Sequence, residues 1–333
     1  MTLARFTGLT GLLVFYALLL TACATGAAVS SATGPEVVSP RPSDYTVVNV
    51  MPRFWRFLDA ARDADAAEKR RLFREVVIAG DAAVFQAFSG GPSDALLDKW
   101  LLDVAPWLDA MHDVDARLDK ELRTYRRTFA AMFPAARWDD TYVYFMPWFF
   151  ISDAGTGSLA DGRRILIFGV DDIARYRGSR SNLATLFHHE LFHLYHAAVH
   201  PEWAGSGRGP LYRAVWVEGL ATYVSRLLNP QAALGEVLGD AALPSRMPGG
   251  LGTVAHGIHT EMDSTSASIN RDYLSASPTT KELPARSGYY VGMLVAERLS
   301  VRHSLTQLVT LRDPELRSEV SDALQDIETQ ANR

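Results

Sequence analysis

Residues Ser181–Val199 read SNLATLFHHELFHLYHAAV, a run with helical spacing that opens on Ser181, a plausible N-cap, and ends before Pro201. Within it stands His189-Glu190-Leu191-Phe192-His193, the pattern H-E-x-x-H. Residues four apart on an α-helix are neighbours on one face, so both imidazoles can reach one ion. Glu190 lies one step round from His189 and can approach the open side of that ion, where water would sit. Zinc suits such a set: it takes nitrogen and carboxylate ligands in a four-coordinate site, and a catalytic site keeps one position for water. The pattern arises by accident in roughly one chain in a hundred of this length, so its context has to carry the rest.

Moving outward, a second helix fits Tyr212 to Leu228, between Pro210 and Pro230. It contains Trp216-Val217-Glu218-Gly219-Leu220-Ala221-Thr222-Tyr223, and Glu218 is the candidate third ligand. Gly219 and Ala221 are small enough to let this helix approach the first closely, which a shared metal demands. A third segment, Arg286-Ser287-Gly288-Tyr289-Tyr290-Val291-Gly292, opens a helix just after Pro284, with Gly288 and Gly292 spaced to permit close packing.

His189 to His193 followed by an E-G-x-A helix resembles the gluzincin class of zinc peptidases. More narrowly, the motifs from about Thr141 to Val295 resemble bacterial families known only as predicted Zn-dependent proteases. The resemblance implies that Glu218 is the third protein ligand, that Glu190 is the catalytic base, and that one Zn2+ is bound per chain. It also implies a Tyr or His donating a hydrogen bond to the oxyanion, for which Tyr289 and Tyr290 are both candidates. An aromatic core pair beside an ordinary exposed Arg286 is the competing reading of that segment. Glu218 follows His193 by 25 positions, a longer connection than in thermolysin-like gluzincins. The metzincin pattern fits worse, since it needs Gly at His196 and His at Val199.

Other histidines crowd the motif. His196 and His200 lie roughly 10 and 16 Å along the helix from His189, too far to share its ion, and with His188 are assigned to supporting or surface roles. His256 and His259 fall in a Gly-rich stretch, where a solvated loop is expected rather than a separate ion site.

The chain begins with Arg5, an apolar run from Phe6 to Leu20, and the tetrapeptide Leu20-Thr21-Ala22-Cys23. This has the form of a secretory signal peptide over residues 1–22, and the tetrapeptide resembles the bacterial lipobox, which implies cleavage before Cys23 and lipid attachment to its sulfur. Cys23 is the only cysteine among 333 residues, so no intramolecular disulfide can form. Residues up to about 45 form a flexible tether. The expected location is the bacterial cell envelope, lipid-anchored, facing the periplasm or the exterior. The formal charge of −5, with no basic run, sets nucleic-acid partners aside.

Residues 46–135 show helical periodicity throughout, most clearly at Met111, Val114, Leu118, Leu122, Tyr125, Phe129 and Met132, one stripe on a long helix. Thr141–Phe145, Trp148–Ile151 and Ile165–Val170 are expected strands. Residues 231–283 suit a loop or lid containing short helices, and helices return from Pro284 to Ser300 and from about Pro314 to Ile327. The expected fold is α+β and mostly helical: a zincin-like core with a small sheet over residues 136–330, an N-terminal helical region and C-terminal helices.

These features imply peptide-bond hydrolysis, with a peptide or protein substrate extended beside an edge strand drawn from Thr141 to Ile151. Two rivals stand beside it. One is a non-catalytic lipid-anchored binding or assembly protein with a structural or vestigial zinc site, against which the retained Glu190 argues. The other is a zinc amidase acting on cell-wall peptides.

Overall fold

The computed structural model describes residues 45–203, 209–278 and 282–331. The expected signal peptide, the expected lipobox with Cys23 and all of the expected tether up to residue 44 lie outside the described residues. What is described is an α+β fold, mostly helical, around one small mixed sheet. No helix among the described residues is long and apolar enough to cross a membrane.

The sheet consists of β1 (Thr46–Asn49), β2 (Thr141–Met146), β3 (Ala154–Ser158) and β4 (Arg164–Gly169), in the order β1-β2-β4-β3. β1 runs parallel to β2 and β2 parallel to β4, while β3 is antiparallel to β4. The register sets Tyr142 opposite Ile165 and Phe145 opposite Phe168, with Ala154 on the other flank of Phe168. The interior strands β2 and β4 carry nearly continuous apolar runs because both of their faces are covered. β3, with the sequence Ala-Gly-Thr-Gly-Ser, is an edge and is largely half-exposed or exposed. The segment Thr141–Ile151 therefore supplies no edge strand.

The helices that build the core and the site are α1 (Met51–Ala60), α2 (Asp94–Val104), α3 (Leu108–Met132), α4 (Val170–Tyr176), α5 (Ala184–Val199), α6 (Leu211–Leu228), α7 (Leu251–Thr260), α8 (Ala267–Leu274), α9 (Ser287–Leu299) and α10 (Glu315–Ala331). The predicted stripe on α3 is the face it buries: Met111, Val114, Leu118, Leu122 and Phe129. Around Trp100 of α2 gathers an aromatic cluster, with ring centroids 5.6 Å from Phe73, 5.7 Å from Phe54 and 5.3 Å from Phe149. Rings at such separations and tilts add to the burial of their area.

Three expectations change. Residues 46–135 are not wholly helical, because Thr46–Asn49 forms β1 and pairs with β2. Trp148–Ile151 is a turn rather than a strand: Phe149 and Phe150 have φ of 57° and 54°, and the buried Asp171 carboxylate accepts 2.8 Å hydrogen bonds from the backbone N–H groups of Trp148 and Phe150. A third donor, the Trp100 indole, lies 2.9 Å from the same carboxylate. The aromatic density of that segment reflects burial, which strand and turn alike can satisfy. Finally, His256 and His259 sit on helix α7 rather than in a solvated loop. Val254, Ala255 and Ile258 bury the inner face of α7, and tertiary packing overrides the low helix propensity of Gly252 and Gly257.

Candidate metal centre

Helix α5 starts three residues later than expected. Asn182 Oδ1 accepts from the Ala184 N–H at 3.0 Å, whereas the Ser181 hydroxyl donates to the Gly178 carbonyl. Every residue from Ala184 to Phe192 is buried, so the first half of the helix is enclosed on all sides, while Ala197 and Ala198 near its end are exposed. Helix α6 lies beside it, tied by the Ser225 hydroxyl donating to the Thr185 carbonyl at 2.7 Å.

Four-residue spacing on α5 turns both imidazoles to one side. His189 Nε2 and His193 Nε2 stand 2.9 Å apart, and Glu218 Oε2 of α6 lies 3.3 Å from the first and 3.2 Å from the second. Among the described residues, His189, His193 and Glu218 are the one group of three His, Cys, Asp or Glu side chains close enough to share an ion. The described residues thus bring together all three sequence-predicted ligands.

Gly219 follows Glu218 but does not serve the contact with α5. A Cβ there would come within 2.2 Å of the Gly292 carbonyl carbon, and a Cβ on Gly292 within 2.3 Å of the Val215 carbonyl oxygen. The two glycines let α6 and α9 cross with their backbones in contact, and that crossing carries Tyr289 to the site. The Tyr289 ring stacks on His189 at 5.9 Å between centroids and 20° between planes. Tyr289 lines the cleft beside the ligands and Tyr290 does not, which separates the two candidates by helix phase.

That cleft, about 80 Å³, is lined by Asp153, Arg177, His189, Glu190, Arg286 and Tyr289, among others. Burial raises the Glu190 carboxyl to about 7, with the Glu218 and Asp153 charges adding to it and His193 and Arg177 opposing. Burial lowers His189 to about 4, assisted by the neighbouring His193, so its imidazole is neutral and its lone pair available. Burial pushes the Glu218 carboxyl up, but His193 and His189 outweigh it and hold the group well below the usual carboxylate range. Glu218 is thus an anion facing the neutral His189 nitrogen, with His193 beside it. This is the donor set a divalent cation needs.

The remaining histidines do other work. His188 Nε2 lies 3.0 Å from the Tyr125 carbonyl, and the Asn229 amide lies 2.9 Å from its Nδ1. His200 is buried, with Nε2 2.7 Å from the Val309 carbonyl, and His196 stacks on Phe192 and meets the His200 and Trp203 rings edge to face. His256 and His259 both contact Glu328 of α10 through Nδ1, at 3.1 and 2.8 Å.

The sequence reading passed over Asp153, Arg177 and the inward role of Arg286. Arg177 Nε donates to the buried Asp153 at 2.7 Å. They come from the turn before β3, the end of α4 and the residue before α9, and no local spacing joins them. Against known proteins, no family model, no curated protein and no solved structure matches this chain.

Proposed function

We propose that this chain is a zinc-dependent peptide hydrolase of the gluzincin type, in which His189, His193 and Glu218 hold the metal and Glu190 is the general base. The observation that carries the reading is the convergence of three metal-ligand atoms, 2.9 to 3.3 Å apart, beside a buried carboxylate that contributes no ligand atom to the group. A tetrahedral ion with bonds of about 2.1 Å has edges of roughly 3.4 Å between ligand atoms, close to these separations. Two nitrogens and one oxygen on three protein side chains match the open, catalytic kind of zinc site, whereas structural sites close with four.

A zinc ion bound there supplies Lewis-acid polarisation of a carbonyl and a lowered pKa for water. Glu190, with a carboxyl near 7, takes the proton from the attacking water and passes it to the leaving amine. In this reading Tyr289, whose ring stacks on His189, donates its hydroxyl proton to the developing oxyanion. The substrate lies extended along the free edge of β3, whose first residue Ala154 borders the cleft and whose outer backbone groups are available for strand addition. An antiparallel edge strand beside the motif helix supports a zincin-like arrangement. With this reading goes the envelope location: a lipid on Cys23 tethers the enzyme to a membrane, facing the periplasm or exterior, where peptides or proteins are its substrates.

Metal analysis of the soluble chain from Ala24 onward should find about one zinc per chain and none in His193→Ala; full zinc retention in that variant refutes the assignment. Glu190→Gln should keep zinc and lose hydrolysis of a peptide pool. Fatty-acid labelling should mark the full-length protein and spare Cys23→Ser.

A further inference from the structure

The cleft beside the metal ligands opens into a larger groove of about 810 Å³, and the two share Ser152, Arg286 and Tyr289. Four further charged side chains flank Arg286 in pairs that cancel. Arg177 is spent on Asp153 at 2.7 Å, and Arg175 on Asp172 at 2.6 Å while also lying 4.0 Å over the Phe150 ring. Arg286 is different. Among the described residues no carboxylate stands within ion-pair distance of its guanidinium, although Asp153, Glu218 and Asp240 act on it from farther off and hold its pKa up against burial. Arg271 adds a second cation to the groove wall.

The protein maintains this arrangement at a conformational cost. Arg286 occupies the left-handed region, with φ 57° and ψ 21°, a conformation that a side chain bearing Cβ keeps only where its surroundings impose it. Its backbone is fixed from both directions: its N–H donates to the Ser275 carbonyl and its own carbonyl accepts from Tyr289, each at 3.0 Å. Gly239 makes room for the side chain, since a Cβ there would come within 2.6 Å of Arg286 Nη1 and 3.1 Å of Arg177 Nη2. Two guanidinium groups therefore lie over one glycine at the entrance to the metal cleft. One is neutralised internally; the other lies 5.9 Å over the Tyr289 ring and has no ion-pair partner among the described residues. A guanidinium in a partly desolvated wall binds a carboxylate by paired, charge-assisted hydrogen bonds.

We propose that Arg286 binds a carboxylate of the peptide substrate, either an acidic side chain or the free C-terminus, and so selects acidic peptides for the metal cleft. The inference rests on the hydrolase reading for its substrate class. Its binding readout is independent of turnover.

The test uses zinc-loaded Glu190→Gln protein and fluorescent peptides chosen from sequences the wild type cleaves. Each is made with Glu or Gln at the acidic position and with a free or amidated C-terminus, and Kd is read by anisotropy. The acidic forms should bind at least about tenfold more tightly than the neutral ones, a difference of roughly 1.4 kcal/mol. Adding Arg286→Ala should erase that difference while leaving the neutral-peptide Kd within about twofold, and Arg286→Lys should restore part of it. Loss of preference on amidation assigns the terminal carboxylate; loss on Glu-to-Gln exchange assigns the side chain. Equal affinities for acidic and neutral peptides overturn the proposal, as does a preference that survives Arg286→Ala. Should wild type cleave nothing in a broad pool, a set of random acidic and neutral peptides replaces the cleaved ones: an Arg286-dependent preference then defeats the hydrolase reading alone. Cleavage without charge preference defeats this inference alone.

Discussion

Between Tyr45 and Asp140 every buried residue is apolar or aromatic, whereas the fifteen buried polar or charged residues found among the described residues all lie from Thr141 to Ser287. The first region is stabilised by rings and aliphatic chains closing on Phe54, Phe73 and Trp100, with its charges left at the surface in pairs such as Arg71 with Glu68. The second encloses His189, Glu190, Asp153 and Asp171, each of which costs desolvation and demands a partner. Apolar packing is cheap and tolerant; buried polarity is retained where chemistry or a specific backbone shape requires it. The contrast sets the region that contains the candidate metal centre apart from the aromatic region.

The largest effect should come from the aromatic side of that contrast. Trp100→Ala removes the ring at the centre of the cluster and one of three donors to Asp171, so unfolding free energy should fall by about 4 kcal/mol. Measured by urea titration, this loss should leave zinc content per folded chain unchanged. Zinc lost at full stability would break the division between the two regions. On the polar side, Gly219→Ala puts a methyl group against the Gly292 backbone and forces α6 from α9. The expected cost is about 2 to 3 kcal/mol. Unlike the tryptophan variant, this one should also weaken zinc binding, because Glu218 moves with its neighbour; titration with a competing chelator checks it.

Elements with strong periodicity were legible in the sequence. The seven-residue stripe on α3 and the histidine spacing on α5 each state a face and a period, and the continuous apolar runs of β2 and β4 state burial on both faces. β1 and β3 were not, since Thr-Val-Val-Asn is too short to show alternation and Ala-Gly-Thr-Gly-Ser has almost no side chain to alternate. At Trp148–Ile151 the composition spoke for burial and was silent about φ, which is set by Asp171 more than twenty residues away. The candidate ligand group His189, His193 and Glu218 was readable because two of its three members share a local helical spacing. Arg286, Arg177 and Asp153 were hidden because only the tertiary path brings them to one cleft, and the choice of Tyr289 over Tyr290 needed the phase of α9 fixed by Gly292.

Asp172 offers a finer test of buried polarity away from the ligands. Burial raises its carboxyl to about 6, opposed chiefly by Arg175 and reinforced by the Asp171 and Asp153 charges. The folded state thus prefers the protonated acid more than the unfolded chain does, with its pKa near 3.9. The stability this contributes is complete below about pH 4 and is lost as pH rises through about 6. Asp172→Asn should flatten that part of the stability profile, removing a decline on the order of 2 kcal/mol between pH 4 and 7. Urea midpoints at several pH values for both proteins give the comparison, and parallel profiles would mean that Arg175 already cancels the burial.

The smallest effect belongs to the surface of the aromatic region. Arg71 reaches Glu68 three residues back and Glu75 four residues on, at 2.5 to 2.8 Å, yet all three side chains are about half exposed. Water and salt screen such contacts, and holding long side chains in one geometry offsets much of the attraction. Arg71→Ala should therefore leave the urea midpoint unchanged within error at 0.15 M salt, with any difference shrinking further at 1 M. A clear, salt-resistant loss would mean that the N-terminal region relies on its charges as well as its rings, and the line drawn at Thr141 would no longer separate two modes of stabilisation.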